Sequence, residues 1–468
     1  MEEAAGAQDG DPADSSRDTL PRVVDIAPKG DAVLDVTFET SKETLISTRR
    51  STQIRRGQTL RPSRPLLRAT IRLAYRVDVG VLKKQSSYFA NLLGDTRFEE
   101  ARSVAKAFKE LSLRNLKPAD LEPKDLPWVS IIDDDEATRA ANREVVFADL
   151  LRILHGRDVV TKPPSMLYVT TLAVLADRFI CTAPVSRYLT TGLKFKWPVT
   201  PKTLREDSAS LTVAAEEVLR QKILVAWLLD QPPRLHTATR ELILYGSHQW
   251  TAYPEDDASS KATWWDLQDD LERELQYRRE CILNTVASVL HHFLSLYTSR
   301  TRQCKLGYDS SVACDSYQLG EMVKFLSNKE LLFFVDFSPC SLESVKDYST
   351  VEIGHILSVL KQCPSYQIDK NHTNCGLRTR ILPILEYIQA MLSSNSISIA
   401  RSAWKNNRAE TSWIPVEDGD YRDAKEKVFR FTRSLSGDQR LRYEGAMAAD
   451  RMARQLFTAS SWDWTPED

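Results

Sequence analysis

The 468-residue sequence contains no long apolar run. Its longest, ILVAWLL at 223 to 229 and LLFFV at 331 to 335, fall far short of the roughly 18 to 20 residues that a membrane-spanning helix needs. No membrane partner is expected. Charge of one sign is also lacking: 63 Lys and Arg stand against 64 Asp and Glu, for a formal net charge of -1. No overall imbalance therefore points to nucleic acid, which is not an expected partner. The first residues, MEEAAGAQDGDPADSSRD, lack the basic start and apolar stretch of a secretory signal. The expected location is intracellular, cytoplasmic and/or nuclear.

Catalytic signatures are missing too. The chain has no GxGxxG and no GxxxxGK[ST] to cradle a nucleotide, and no GxSxG. The expectation is a non-enzyme without a catalytic cofactor. Paired cysteines at CxxC spacing are absent as well, and the seven cysteines are an odd number, six of them from Cys281 to Cys375. In a reducing cell this clustering favours free buried thiols or a metal site over disulfides.

What is present fits a globular chain: 42% apolar and 27% charged residues. The length leads us to expect two to four domains or subdomains. Residues 1–22 are low in apolar content and read as a disordered tail. VVDIAPKGDAVLDVTFE (23 to 39) supplies two short extended segments around a Pro28/Gly30 turn. Within LAYRVDVGVLKKQSSYFANLL (73 to 93), Leu73, Tyr75, Val77 and Val79 recur every second residue, then Val81, Leu82, Tyr88, Phe89, Leu92 and Leu93 take the spacing of one helix face. PWVSIIDDDE (127 to 136) reads as a strand closed by an acidic turn, and Val145, Val146, Leu150, Ile153 and Leu154 mark a helix ending at Gly156. Residues 163 to 195 read as two helices interrupted at Pro184, with Leu172, Leu175, Ala176 and Phe179 on one face. Residues 200–394 read as almost wholly helical, with Asp266, Asp269 and Asp270 suited to a helix start. Residues 395–468 read as a polar tail with one helical candidate at 421 to 456.

Four groups invite a functional reading. Residues 41–72 form a basic insertion in which Arg49, Arg50, Arg55, Arg56, Arg61 and Arg64 accumulate. Such a patch suits nuclear import or phosphate binding, but it lacks interleaved aromatics to stack bases, and charge runs ordinarily form solvated loops. The run Asp133-Asp134-Asp135-Glu136 lacks calcium-loop spacing and reads as a solvated turn. His291 and His292, adjacent on a helix, point about 100° apart and share an ion poorly. In CPSYQIDKNHTNC, Cys363, His372 and Cys375 are soft or borderline ligands close enough to share zinc, with Cys304 and Cys314 available to complete a tetrahedral site. The alternative is buried thiols that pack as small apolar groups. Four protein ligands would make any such zinc structural, with no open position for catalysis.

The order of elements over residues 23–195 resembles the BTB/POZ fold. Val81-Leu82, Ser86, Tyr88-Phe89 and Leu92-Leu93 match that family's helix pattern, followed by Phe98-Glu99-Glu100 as its polar exit. LLRILHGRDV (150 to 159) is similar to its glycine-terminated helix, and LAVLADRF with Leu175 and Phe179 is similar to the helix after it. Asp78 stands where the family usually has histidine and Ser87 where it usually has proline. Residues 41–72 and 95–127 would be insertions. The remainder resembles the helical region of a large group of fungal BTB-domain proteins, which has no established activity to carry over. The resemblance implies an α+β fold: a BTB/POZ-like module of short strands with helices, then a mostly α-helical C-terminal region. It implies a protein–protein interaction scaffold or adaptor, dimerising or docking on a partner such as a cullin-type ubiquitin ligase, while the helical half binds another protein. The alternative is a nuclear regulatory protein that applies the basic insertion to nucleic acid or an acidic partner.

Overall fold

The computed structural model describes residues 21–54, 68–200, 211–250, 261–335, 349–373, 375–415, 427–438 and 447–465. The chain is mixed α+β, with a small N-terminal sheet and a mostly helical C-terminal region. It divides into two compact units, Met1–Pro164 with Thr171–Lys194, and Ser165–Thr170 with Phe195–Asp468.

In the first unit, β1 (Val23–Asp25) and β2 (Ala32–Glu39) flank the expected turn. Gly30 is required there, because a Cβ would overlap the Val77 carbonyl. Then come α1 (Lys42–Ile54) and β3 (Thr70–Val77). The basic insertion is thus partly regular structure: Lys42 begins a helix, and Arg72 lies in β3, where its guanidinium grips Asp35 on β2 at 2.6 Å. After β3 follow α2 (Val79–Gln85), α3 (Ser87–Gly94), α4 (Glu99–Leu113), β4 (Trp128–Asp133), α5 (Arg143–Leu154), α6 (Met166–Arg178) and α7 (Thr182–Thr191). The sheet order is β1-β3-β2-β4: β2 is antiparallel to β3 and parallel to β4, and β1 is parallel to β3. Central β2 is buried along almost its whole length, the reading expected of a strand covered on both faces. One face packs Val33 and Ala74 against Leu126, Leu121 and Trp128. On the other, Phe147 of α5 meets Phe38 at 5.7 Å, Tyr75 at 5.4 Å and Phe179 at 5.4 Å.

Five expectations change here. Val81 to Leu93 is two helices, because Ser86 leaves the helix at φ -139° and its hydroxyl accepts from the Phe89 N–H at 3.1 Å to cap α3. Val79 opens α2 instead of ending the strand, since Asp78 caps that helix by accepting from Val81 N–H at 2.9 Å. The break between α6 and α7 falls at Ile180, whose φ is +46°, and Pro184 sits in the first turn of α7, where its missing N–H costs nothing. The acidic run is only in part a solvated turn: Asp134 and Glu136 are exposed, but Asp133 and Asp135 are buried. Asp133 is buried and paired with Arg143 at 2.7 Å and Arg178 at 3.0 Å, and Asp135 accepts from both the N–H and the hydroxyl of Ser41. Its neighbouring positive charges and strand-end position draw it inward. Val145 also differs, standing exposed on α5.

The second unit is helical: α8 (Val213–Leu228), α9 (Pro232–Tyr245), α10 (Leu271–Thr298), α11 (Ser311–Asn328), α12 (Ile353–Lys361) and α13 (Leu377–Met391). Paired prolines open α9, as suits a helix's first turn. Gly246 ends it with φ +83°, tight against the Ser349 carbonyl. The long α10 packs against α9, α11 and α13. Asp270 immediately precedes it in a left-handed conformation without a side-chain cap bond, at the helix start where the sequence places it and where a carboxylate is favoured by the helix dipole. Buried arginines pair with carboxylates one turn away, Arg220 with Glu216 and Arg278 with Glu274, each at 2.7 Å.

Residues 395–468 are not a polar tail. After α14 (Arg401–Asn406) and α15 (Arg408–Thr411) come β5 (Val428–Arg430), α16 (Arg433–Gly437), α17 (Met447–Phe457) and β6 (Ser461–Asp463), with β5 and β6 parallel. The helical candidate at 421 to 456 is therefore a strand and two helices among its described residues. Sparse aromatics anchor the segment. Trp464 is fully buried against Phe429 and Phe431, Trp413 stacks on Phe457, and Arg278 of α10 donates to the carbonyls of Ser398 and Thr411. No helix among the described residues is long and apolar enough to cross a membrane.

Candidate metal centre

Two irregular connections of the second unit meet at one point. The first joins α10 to α11 and carries Cys304. Asp315, in the first turns of α11, clamps it by accepting from the backbone N–H of Gln303 at 2.8 Å and of Cys304 at 2.9 Å. Cys314, one residue earlier on the same helix, is completely buried. The second connection joins α12 to α13 and carries His372 and Cys375. An Asx turn at Asp369 receives the Asn371 N–H at 2.8 Å, and the Cys375 carbonyl accepts from the Tyr297 hydroxyl at 3.4 Å. Arg380 of α13 reaches back to the Gln303 carbonyl at 3.0 Å and so ties the two connections together.

At their meeting point the ligand atoms of Cys304, Cys314, His372 and Cys375 all lie within 4.8 Å of one another. The Cys304 sulfur is 3.5 Å from His372 Nδ1 and 3.7 Å from the Cys375 sulfur. His372 is fully buried, its Nε2 bonded to the Ser310 hydroxyl at 2.9 Å. Burial pushes the Cys304 thiol up, but the Ser311 hydroxyl and the Leu306 backbone N–H outweigh it and hold it at about 7. Burial and the Cys304 and Cys375 sulfurs push Cys314 up to about 12, and burial and the Cys304 sulfur also raise Cys375. The set offers three sulfurs and one imidazole nitrogen, a donor combination that suits a soft or borderline tetrahedral cation.

Cys363 does not belong to this set. It follows directly on the end of α12, so its side chain points into the packing between helices. There its sulfur lies 3.6 Å from Met322 Sδ, and burial pushes its thiol up to about 11. Cys181 and Cys281 are likewise pushed up to about 12 by burial, and Cys340 lies outside the described residues. Ser310, Ser311 and Leu306 N–H, which surround the ligands, carry no spacing signal. The pair His372-Thr373-Asn374-Cys375 did carry one, the two-residue gap of a compact ligand pair with histidine in place of the first cysteine.

The other singled-out residues that are described occupy packing or surface positions. Leu82, Ser86, Phe89, Leu93, Leu175 and Phe179 are buried, and Val81, Tyr88 and Leu92 half-buried; Phe89 stacks on Phe179 at 5.5 Å. Arg49 and Arg50 are exposed on α1, while Arg55, Arg56, Arg61 and Arg64 lie outside the described residues. His291 is exposed, and His292 contacts the Thr465 hydroxyl at 3.2 Å. No family model, curated protein or solved structure matches the chain.

Proposed function

We propose that the chain is a non-enzymatic protein–protein interaction scaffold whose first unit is a BTB/POZ-like module. The module self-associates or docks on a partner such as a cullin-type ubiquitin ligase, and the helical unit binds a second protein. The observation that carries this reading is the strand-to-helix junction. Parallel and antiparallel strands surround β2, β3 runs directly into the α2–α3 pair, and the residues matching the family pattern pack around Phe179. Side chains so committed to packing shape a surface instead of handling a substrate. Apolar groups stand outward on the same unit: Ile132 on edge strand β4 is 61% exposed and Ile180 57%, and Arg178, between them in the fold, donates to the Ile132 carbonyl at 3.1 Å. Exposed apolar side chains on an edge strand favour association.

Light scattering across concentration, with partner capture from a cell extract, tests the reading. Self-association or recovery of a cullin is expected, weakened in Ile132→Asp and Ile180→Asp. A strict monomer that retains no partner would sink it.

A further inference from the structure

We infer that the chain holds one structural zinc ion, ligated by the sulfurs of Cys304, Cys314 and Cys375 and by Nδ1 of His372. The distances carry the argument. With Zn–S near 2.3 Å and Zn–N near 2.0–2.1 Å, tetrahedral angles put two sulfur ligands about 3.8 Å apart and a sulfur and a nitrogen about 3.6 Å apart. The Cys304–Cys375 and Cys304–His372 separations are 3.7 and 3.5 Å. The outer limit of 4.8 Å for the set leaves only a small contraction for the remaining pairs.

The surroundings suit an ion as well as the ligands do. With Nε2–H donated to the Ser310 hydroxyl, the imidazole keeps its Nδ1 lone pair toward the sulfurs, the outer-shell device that orients ligating histidines. The Ser311 hydroxyl is buried beside the Cys304 sulfur, placed to donate to a metal-bound thiolate. Three sulfurs and one nitrogen at tetrahedral spacing select zinc among common divalent ions. All four positions are protein-filled, so the ion is a fastener. It pins the α10–α11 connection to the α12–α13 connection, and its binding energy becomes folding energy for that part of the unit. This inference does not depend on the scaffold reading.

The test uses the full chain, free of any histidine tag, purified reduced from zinc-supplemented medium. Elemental analysis should find about one zinc per chain. Cobalt(II) added to chelator-stripped protein should give the visible bands of a tetrahedral thiolate site. Cys375→Ser and Cys314→Ser should lose the bands, while Cys363→Ser and Cys281→Ser should keep them. Because ligand variants can misfold, Ser310→Ala provides a milder arm and should weaken zinc affinity about 10- to 100-fold. Reduced wild-type protein without stoichiometric zinc or tetrahedral cobalt bands would overturn the inference. So would loss of the bands in Cys363→Ser, or a Cys304–Cys375 disulfide recovered in place of metal.

Discussion

The hydroxyl of Ser86 donates to the carbonyl of Phe179 at 2.6 Å, across 93 residues of sequence, while accepting the Phe89 N–H that caps α3. One buried side chain therefore sets the α2–α3 break and fastens the aromatic cluster to it.

Ser86→Ala should remove both the cap and the buried bond and destabilise the first unit by about 1–3 kcal/mol. Exposed Ser87→Ala should stay within about 0.5 kcal/mol. Urea midpoints at unchanged slope would check this; equal effects of the two substitutions would refute it.

Arg143 and Asp133 are both 1% exposed, whereas Arg178, the second partner of Asp133, is 40% exposed. Arg143→Met should cost about 3–5 kcal/mol by stranding a buried carboxylate, and Arg178→Met no more than about 1 kcal/mol. Adding Asp133→Asn to Arg143→Met should recover part of the loss in the same denaturation measurement.

His155 accepts the Asp78 N–H at Nε2 and donates from Nδ1 to the Leu151 carbonyl. Burial lowers its pKa from 6.5, with Arg157 acting in the same direction and the Leu151 carbonyl and Asp78 opposing. The folded state thus resists protonation more than the unfolded state does. The stabilising contribution is complete above 6.5 and declines as pH falls from there toward the folded value. Melting temperatures of wild type and His155→Gln should differ most near neutral pH and converge as the solution is acidified. A gap that widens on acidification would contradict the assignment.

Trp464 is completely buried and its indole N–H donates to Ser288 of α10 at 2.9 Å. Trp464→Ala should cost about 3–5 kcal/mol, measured by thermal or chemical unfolding of the full chain. A change within about 0.5 kcal/mol would mean that the C-terminal segment is peripheral.

Local chemistry was legible in the sequence, and long-range commitments were not. The period change at Val77 to Val81 located the strand-to-helix junction, and Gly156 marked the end of α5, because both are decided by neighbours in the chain. The break at Ser86 was concealed by apolar residues whose spacing suits one helix as well as two. Asp133 and Asp135 looked solvated because their partners Arg143, Arg178 and Ser41 lie elsewhere in sequence. The Cys/His cluster was half legible: the residue types nominated Cys304, Cys314, His372 and Cys375, but chain proximity also nominated Cys363, which the end of α12 turns away. The segment after 395 failed for want of density, since a few tryptophans and phenylalanines, spread thinly, anchor it without producing a periodic apolar stripe.

The β2–β3 ladder is closed by Thr40 N–H donating to the Ala69 carbonyl at 2.7 Å. Everything from residue 41 to 68 therefore departs from and returns to a single rung. The length of such an excursion is nearly free to vary, because loop-closure entropy grows only slowly with length. Extra length between α1 and β3 would therefore cost the fold little closure entropy, while the β2–β3 register is set by the ladder itself.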